Sequence, residues 1–196
     1  LYTRADIPGG MAAVPAEPPA SVAGQGVLQG LGPFEQAFIA GKHLAMYRRE
    51  HQIKMLFPTT TELTVILFAA IRLVEPNTPA PREYLNQVTA TTQALGQYIR
   101  PMPMQFEALK VEVRRFLKEG ARANIRKWSQ TVETTAARAG LLLAGDLDVA
   151  RRVLMSERQI PGDLSPQERM DDLLNFSVSE KYFNLRKTIG IAIQPE

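Results

Sequence analysis

The two histidines of the chain, His43 and His51, are its first candidates for metal binding or acid–base chemistry. One predicted helix carries both of them, eight positions apart, which separates them by about 12 Å along the helix axis. Zinc holds nitrogen ligands at roughly 2 Å, so these two side chains cannot bind one ion together. The chain has no cysteine, which excludes disulfides, thiolate metal sites and a cysteine nucleophile. Structural histidines are therefore the first interpretation, and a ligand role is the alternative.

Other sequence patterns of catalysis are missing. No glycine-rich phosphate loop follows a predicted strand, and no G-x-S-x-G nucleophile motif occurs. The usual motifs of nucleotide-binding enzymes and of serine hydrolases of that type are thus excluded.

Two segments of the chain match the pattern of known motifs when they are considered together. Residues 38–51 read FIAGKHLAMYRREH, and residues 127–142 read KWSQTVETTAARAGLL. Together they resemble the HtpX-like and CAAX-prenyl-protease-like zinc metallopeptidases, whose motifs read G-H-E-[LI]-G-H-x-x-x-G-H and W-S-R-x-x-E-x-x-A-D-R-A-G-L-L. Residues 21–31 and 146–154 also resemble segments of that family, so that the likeness covers roughly residues 1–156.

The departures from the family pattern affect the metal site itself. The resemblance implies that the H-E-x-x-H residues, two zinc ligands and the general base between them, fall on Lys42, His43 and Met46. Glu133 keeps the third ligand position, whereas Ala137 replaces an aspartate expected to support the ligands. His51 and Arg138 keep positions that could have supported the ligands in the same way.

These replacements predict a domain without zinc, without any other cofactor and without catalytic residues. An ammonium at position 42 repels a dication, and one remaining carboxylate cannot hold catalytic zinc. We expect Lys42 and Glu133 to lie on adjacent helices, with their charged groups 3–4 Å apart in place of the metal bond. The alternative is that Lys42 reaches solvent while water or backbone groups satisfy Glu133.

A basic stretch over residues 110–127 raises the question of nucleic-acid binding. It contains seven lysines and arginines, but Glu112 and Glu119 are interspersed and no series of aromatic residues accompanies them. A solvated helix face is the preferred interpretation, and a nucleic-acid-binding face is the alternative. The seven residues are Lys110, Arg114, Arg115, Lys118, Arg122, Arg126 and Lys127.

Helical periodicity dominates the chain after a proline- and glycine-rich start. Residues 1–33 predict loops with short strands at 1–3 and 20–23. Helices are predicted at about 34–53, 60–74, 82–98, 105–119, 121–143 and 147–157, followed by one or two up to residue 189. Thr59 to Glu62 and Ser165 to Glu168 are N-terminal helix signals. The aromatic residues Trp128, Phe34, Phe38, Phe57 and Phe68 are assigned to the core.

The sequence thus predicts a mainly α, zinc-metallopeptidase-like helical domain with a short N-terminal β element. We divide it into a loop and strand segment (1–33), a metallopeptidase-like core (34–157) and a C-terminal helical extension (158–196). The net charge of +3 is mild, and the apolar run at 63–74 contains Arg72 and is too short to span a bilayer.

The predicted function is a non-catalytic protein-interaction or scaffolding module of a larger bacterial protein, which fits a chain that starts at Leu1 without a leader. Its expected partners are protein segments or other domains of the same chain, without nucleic acid, metal or a membrane span, and its expected location is the cytoplasm. One alternative is a hydrolase with a relocated site, for instance His43 with Glu133. The other is a helical nucleic-acid-binding domain that uses residues 110–127.

Overall fold

The computed structural model describes residues 1–4, 10–14 and 20–191. Within these ranges a small sheet contains β1 (Tyr2–Arg4), β2 (Met11–Val14) and β3 (Ala20–Gly24). The strand β3 is central: β1 pairs with it in parallel and β2 pairs with it antiparallel. The strands predicted at 1–3 and 20–23 are present, and β2 is an addition that the sequence reading had not predicted.

Ten α-helices follow in the described part of the chain, which confirms the mainly α fold with a short N-terminal β element. They are α1 (Gln25–Gln29), α2 (Pro33–Ala45), α3 (Gln52–Leu56), α4 (Thr60–Val74), α5 (Leu85–Ile99), α6 (Pro103–Lys118), α7 (Ile125–Ala144), α8 (Leu147–Ser156), α9 (Pro166–Ser177) and α10 (Glu180–Thr188), with a short 3₁₀ helix at Arg82–Tyr84 before α5.

The contacts group these elements into two compact units. Residues 1–56 and 128–196 form the first unit, and residues 57–127 form the second. The second unit contains α4, α5 and α6, with α4 packed against both of the others. The division at residues 33 and 157 that was drawn from the sequence stays a prediction.

The helix predicted at 34–53 is shorter than expected, since α2 ends at Ala45 and turns separate it from α3. The ring of His51 explains the break. Its Nδ1 lies 2.9 Å from the carbonyl oxygen of Ala45, in the position where a continuing helix would place a backbone N–H. The side chain of His51, six residues after Ala45, thus ends the helix. The hydrophobic periodicity of the sequence does not predict such a contact.

Both predicted N-terminal helix signals are confirmed as capping boxes. Thr59 and Glu62 exchange side-chain and backbone hydrogen bonds at the start of α4. Ser165 and Glu168 do the same at α9, where Pro166 occupies the first helical position. The reciprocal bonds satisfy N–H groups that have no partner within the helix.

The core of the first unit combines residues from the whole length of that unit. Phe38, Leu141, Leu154 and Leu173 are completely buried and belong to one hydrophobic cluster. Tyr182 joins the same cluster from α10, so the C-terminal helices pack on the core. Of the five aromatic residues assigned to the core, Phe38 is fully buried, whereas Phe34 is 58% exposed and was assigned wrongly.

Two glycines let α2 and α7 cross at close range. A β-carbon on Gly41 would lie 2.7 Å from the carbonyl oxygen of Ala139, and one on Gly140 would lie 2.7 Å from that of Phe38. Both distances are shorter than van der Waals contact, so side chains at these positions would push the helices apart. The crossing fixes Lys42 of α2 close to α7.

No helix in residues 1–4, 10–14 and 20–191 combines the length and the apolar character that crossing a bilayer requires.

Candidate functional site

The close crossing brings together the two groups that the sequence predicted to meet. Nζ of Lys42 lies 3.5 Å from Oε2 of Glu133, which is within the predicted range and confirms the contact. Their side chains are 16% and 12% exposed, so the pair is largely removed from water. Lys42 comes from the last turn of α2 and Glu133 from the first half of α7.

Lys42 has a second carboxylate partner, Glu157, which was not predicted from the sequence. Oε2 of Glu157, just after α8, accepts a hydrogen bond from Nζ of Lys42 at 2.6 Å. The same oxygen accepts one from Nη1 of Arg169 at 2.7 Å. Arg169 also lies 3.8 Å from Glu133, so the two cations and two carboxylates form a closed group.

Lys54 extends this group on the other side of Glu133. Its side chain is only 2% exposed, and its Nζ lies 3.5 Å from Oε1 of Glu133 and 2.7 Å from Oδ1 of Asp163. Nζ also donates to the hydroxyl of Ser129, which in turn donates to Oδ1 of Asp163 at 2.8 Å. Nζ of Lys54 and the hydroxyl of Ser129 thus both donate to acceptors within the network.

We refer to the six charged residues of this network as the ion cluster. Three cations face three carboxylates, so the cluster is neutral as a whole. Burial alone would raise the pKa of Glu133, but the nearby positive charges outweigh it and hold that pKa below its usual range. Glu133 therefore stays ionised at the centre of the cluster, whose members are Lys42, Lys54, Glu133, Glu157, Asp163 and Arg169.

One donor of the ion cluster is left without an acceptor. Arg169 is 5% exposed, and its Nε–H has no hydrogen-bond partner among the described residues. Buried polar groups of this kind are rare in folded proteins and call for an explanation such as a bound water or ligand.

His43 belongs to a separate hydrogen-bonded chain. Its Nε2 lies 2.8 Å from the Ser21 hydroxyl, which lies 2.7 Å from the Tyr47 hydroxyl, and Tyr47 donates to the carbonyl of Ala20 at 2.8 Å. Each hydroxyl has one proton. If Tyr47 donates to Ala20 and Ser21 donates to Tyr47, then Nε2 of His43 must be the donor to Ser21.

This direction of donation makes His43 a tether and not a base toward Ser21. It joins α2 to β3, and burial lowers the pKa of His43, which keeps the ring neutral near pH 7. The structure shows no hydrogen bond between His43 and Glu133 in the part of the chain that it describes. The relocated hydrolase site stays a prediction.

The four positions that align with the metal site do not fit zinc. Lys42 brings an ammonium to within 3.5 Å of the one remaining carboxylate, and Nε2 of His43 is engaged with Ser21. The thioether of Met46 is a ligand for softer metals. Among the residues that the structure describes, no group of three or more histidines and carboxylates could hold a metal ion.

The remaining positions of the predicted site have structural contacts. Ala137 is buried in the core of the first unit. His51 caps the end of α2, as described above. Arg138 donates to both carboxylate oxygens of Asp172 at 2.8 and 2.5 Å, which ties α7 to α9. None of the three contacts the ion cluster in the described hydrogen bonds and ion pairs.

A cleft of about 860 Å³ opens beside Lys42, Glu133 and Glu157. Residues 10–13, which include most of strand β2, line one side of it. One edge of β2 pairs with β3, and no other strand in the described ranges pairs with its second edge. The opposite walls come from α2, α3 and α8. The cleft is mostly apolar, with contributions from Val27, Leu31, Ile39, Met46, Met55 and Val153.

The basic stretch lies in the second unit and is partly neutralised. Lys110 pairs with Glu107, Arg115 with Glu112 and Arg114 with Glu75. The second unit has ten lysines and arginines against six acidic residues, whereas the first unit has thirteen against fourteen. The positive charge of the chain therefore resides in residues 57–127.

Several functional candidates had no signal in the sequence. Glu157, Asp163 and Arg169 follow the segments that resemble the peptidase family, and charged residues there look like an ordinary helix surface. Lys54 was missed because a single lysine between Ile53 and Met55 on a short helix matches no site motif. Only their meeting in the fold, over separations of up to 115 positions, marks them as one site.

Comparison of the chain with protein-family models, with curated proteins and with solved structures found no match. The resemblance to zinc metallopeptidases therefore rests on the sequence segments alone and stays a prediction.

Proposed function

We propose that this chain is a non-catalytic, metallopeptidase-like domain that binds an extended protein segment in the cleft beside the ion cluster. The observation that carries the proposal is the position of Lys42, whose ammonium lies 3.5 Å from Glu133 where the aligned peptidases would hold zinc. A cation supplied by the protein itself replaces the charge of the metal without its Lewis acidity. Peptide hydrolysis of the zinc type is therefore not expected.

The cleft supports the binding part of the proposal. It offers an apolar floor and the free edge of β2, whose backbone N–H and C=O groups can pair with an added strand. Main-chain pairing of this kind accepts many sequences, while pockets beneath the strand select side chains. An extended segment of a partner or of the same polypeptide meets both requirements.

A zinc titration tests the non-catalytic part. The wild-type domain, stripped with chelator, is titrated with zinc in a calorimeter beside a triple variant, Lys42→His, His43→Glu and Met46→His, that rebuilds the peptidase motif. We expect no stoichiometric binding to the wild type and no chelator effect on its Tm. Stoichiometric zinc on the wild type with hydrolysis of a casein substrate would overturn the proposal.

A peptide array tests the binding part. The labelled domain is applied to an array of peptides of about eight residues, which matches the length of a strand. A variant Ala13→Pro, which removes a backbone N–H from the free edge of β2, serves as the comparison. We expect bound peptides that the variant loses while its circular dichroism spectrum stays unchanged.

Nucleic-acid binding is the second candidate function, because residues 57–127 carry an excess of positive charge. Binding to a labelled duplex or single strand would weaken steeply as salt increases, because phosphate contacts release counterions. Tight, salt-dependent binding that the Arg122→Gln and Arg126→Gln variants lose would favour this candidate.

A further inference from the structure

A second, smaller cavity of about 250 Å³ lies against the ion cluster. Five of the six members of the cluster line it, together with two apolar residues and one more arginine. The volume exceeds the roughly 30 Å³ that one water occupies in the liquid, so a small polar group can enter. The charged residues of its lining are Lys42, Glu133, Glu157, Arg158, Asp163 and Arg169.

Arg158 differs from the other charged residues of this lining. It is exposed, and it has no hydrogen bond or ion pair within the described residues, whereas each of the others has a partner of opposite charge. Arg158 also lines the larger cleft that the proposed peptide would occupy. Its guanidinium is thus available at the place where the two cavities meet.

Arg169 also lines the small cavity, and it has a buried donor that is not used. Its Nη1 is committed to Glu157, but its buried Nε–H has no acceptor. Leaving a buried donor unsatisfied costs about 1–3 kcal/mol, so an acceptor that reaches it would bind more tightly for that reason.

The charge of this region indicates which acceptor fits. The ion cluster is neutral, and Arg158 adds one positive charge that no acidic residue in the described part of the chain pairs with. A guanidinium presents its N–H groups in a planar fork that matches a carboxylate and allows two parallel hydrogen bonds. One carboxylate in this cavity would neutralise Arg158 and accept hydrogen bonds from its guanidinium.

We propose that the cleft selects peptides with an aspartate or glutamate, whose side-chain carboxylate binds at Arg158 beside Arg169. The inference rests on the proposed function, since it names the chemistry of the bound segment. A side chain is the source because Gly10 and residues 11–13 of β2 line the cleft, and a strand paired along this edge continues past both ends. A chain terminus would have to stop inside the cleft.

The test uses an array of random peptides of about eight residues, blocked at both ends, with the intact domain as the probe. The measured quantity is the enrichment of aspartate and glutamate among bound peptides over the array average. The domain is compared with Arg158→Gln and with the control Arg151→Gln, which removes an exposed arginine that pairs with Asp148 and lines neither cavity.

We expect acidic enrichment for the wild type and for the control, and its loss in Arg158→Gln. For single peptides, replacing the acidic residue with its amide should weaken binding by up to about fivefold, the upper end of what exposed charge pairs contribute. The same replacement should not change binding to Arg158→Gln.

Each other outcome contradicts the inference in a distinguishable way. Bound peptides without acidic enrichment, or with enrichment that Arg158→Gln retains, overturn the carboxylate site and leave peptide binding intact. An array on which nothing binds overturns the proposed function and the carboxylate site together. Binding that depends on a free C-terminal carboxylate, measured on an unblocked copy of the array, replaces the side chain with the terminus and overturns the assignment.

Discussion

Replacing Lys42 with methionine perturbs the ion cluster at the position aligned with a zinc ligand. Methionine keeps most of the volume of the side chain but removes its charge. The cluster then has two cations and three carboxylates. Glu157 keeps Arg169 at 2.7 Å, and Glu133 keeps Lys54 at 3.5 Å, so neither carboxylate is left alone.

The expected loss of stability follows from this partial compensation. Removing one partner of a fully buried pair costs about 3–5 kcal/mol, whereas exposed pairs contribute about 0–1 kcal/mol. Lys42 is 16% exposed and its partners keep other cations, so we expect a loss of about 2 kcal/mol. Lys54→Met should cost more, about 3–5 kcal/mol, because Lys54 is 2% exposed and Asp163 would retain no cation.

Urea denaturation followed by far-ultraviolet circular dichroism measures both losses. A double-mutant cycle with Lys42→Met and Glu133→Gln isolates the contact itself, since the double variant restores a neutral cluster. We expect the double variant to be about 1–2 kcal/mol more stable than the sum of the single effects predicts. Additivity within about 0.5 kcal/mol, or a Lys42→Met protein as stable as the wild type, would refute the reasoning.

Three further predictions concern other features. The pKa of Glu133 is lowered from 4.5, so its stabilising contribution is present above about pH 4.5 and is lost as the pH falls through its folded pKa. Glu133→Gln should flatten that part of the stability–pH curve, and a curve of unchanged slope would contradict the assignment. Gly140→Ala should lower stability by about 1–3 kcal/mol because its β-carbon meets the Phe38 carbonyl. Gly96→Ala should change stability little, because its nearest neighbour is a flexible Leu73 methyl at 3.2 Å. Tyr47→Phe should cost about 1 kcal/mol by breaking the hydrogen-bonded chain, and an unchanged urea midpoint would show that the chain is not stabilising.

The sequence predicts best those features that depend on neighbouring residues. The capping box at Thr59 and Glu62 needs only a hydroxyl, a carboxylate and a spacing of three, and the structure confirms it. Strand β2 was missed because its two central residues are alanines, which have low strand propensity. Its pairing with β3 supplies the hydrogen bonds that make it a strand, and that partner lies elsewhere in the chain.

Contacts between residues that are distant in the sequence are predicted less well, and the site depends on such contacts. The Lys42–Glu133 contact could be predicted because two sequence segments resembled parts of one known site. The contacts of Glu157 and Asp163 could not, since a carboxylate on a polar segment looks the same whether it faces solvent or a buried lysine. The pattern of charge alone does not distinguish a solvated acid from a member of a cluster.

The neutrality of the ion cluster has a consequence for the evolutionary history open to this chain. A substitution that introduces histidine at position 42 removes a cation before any second metal ligand exists, and so lowers stability without a gain in metal affinity. If a carboxylate of the ion cluster is replaced first, the cluster has one positive charge in excess. Mutational paths toward a metal site therefore pass through a less stable variant unless two changes arise together. Selection for stability would remove such variants. If the chain descends from a zinc enzyme, the arrival of lysine at position 42 would have made the loss of catalysis difficult to reverse.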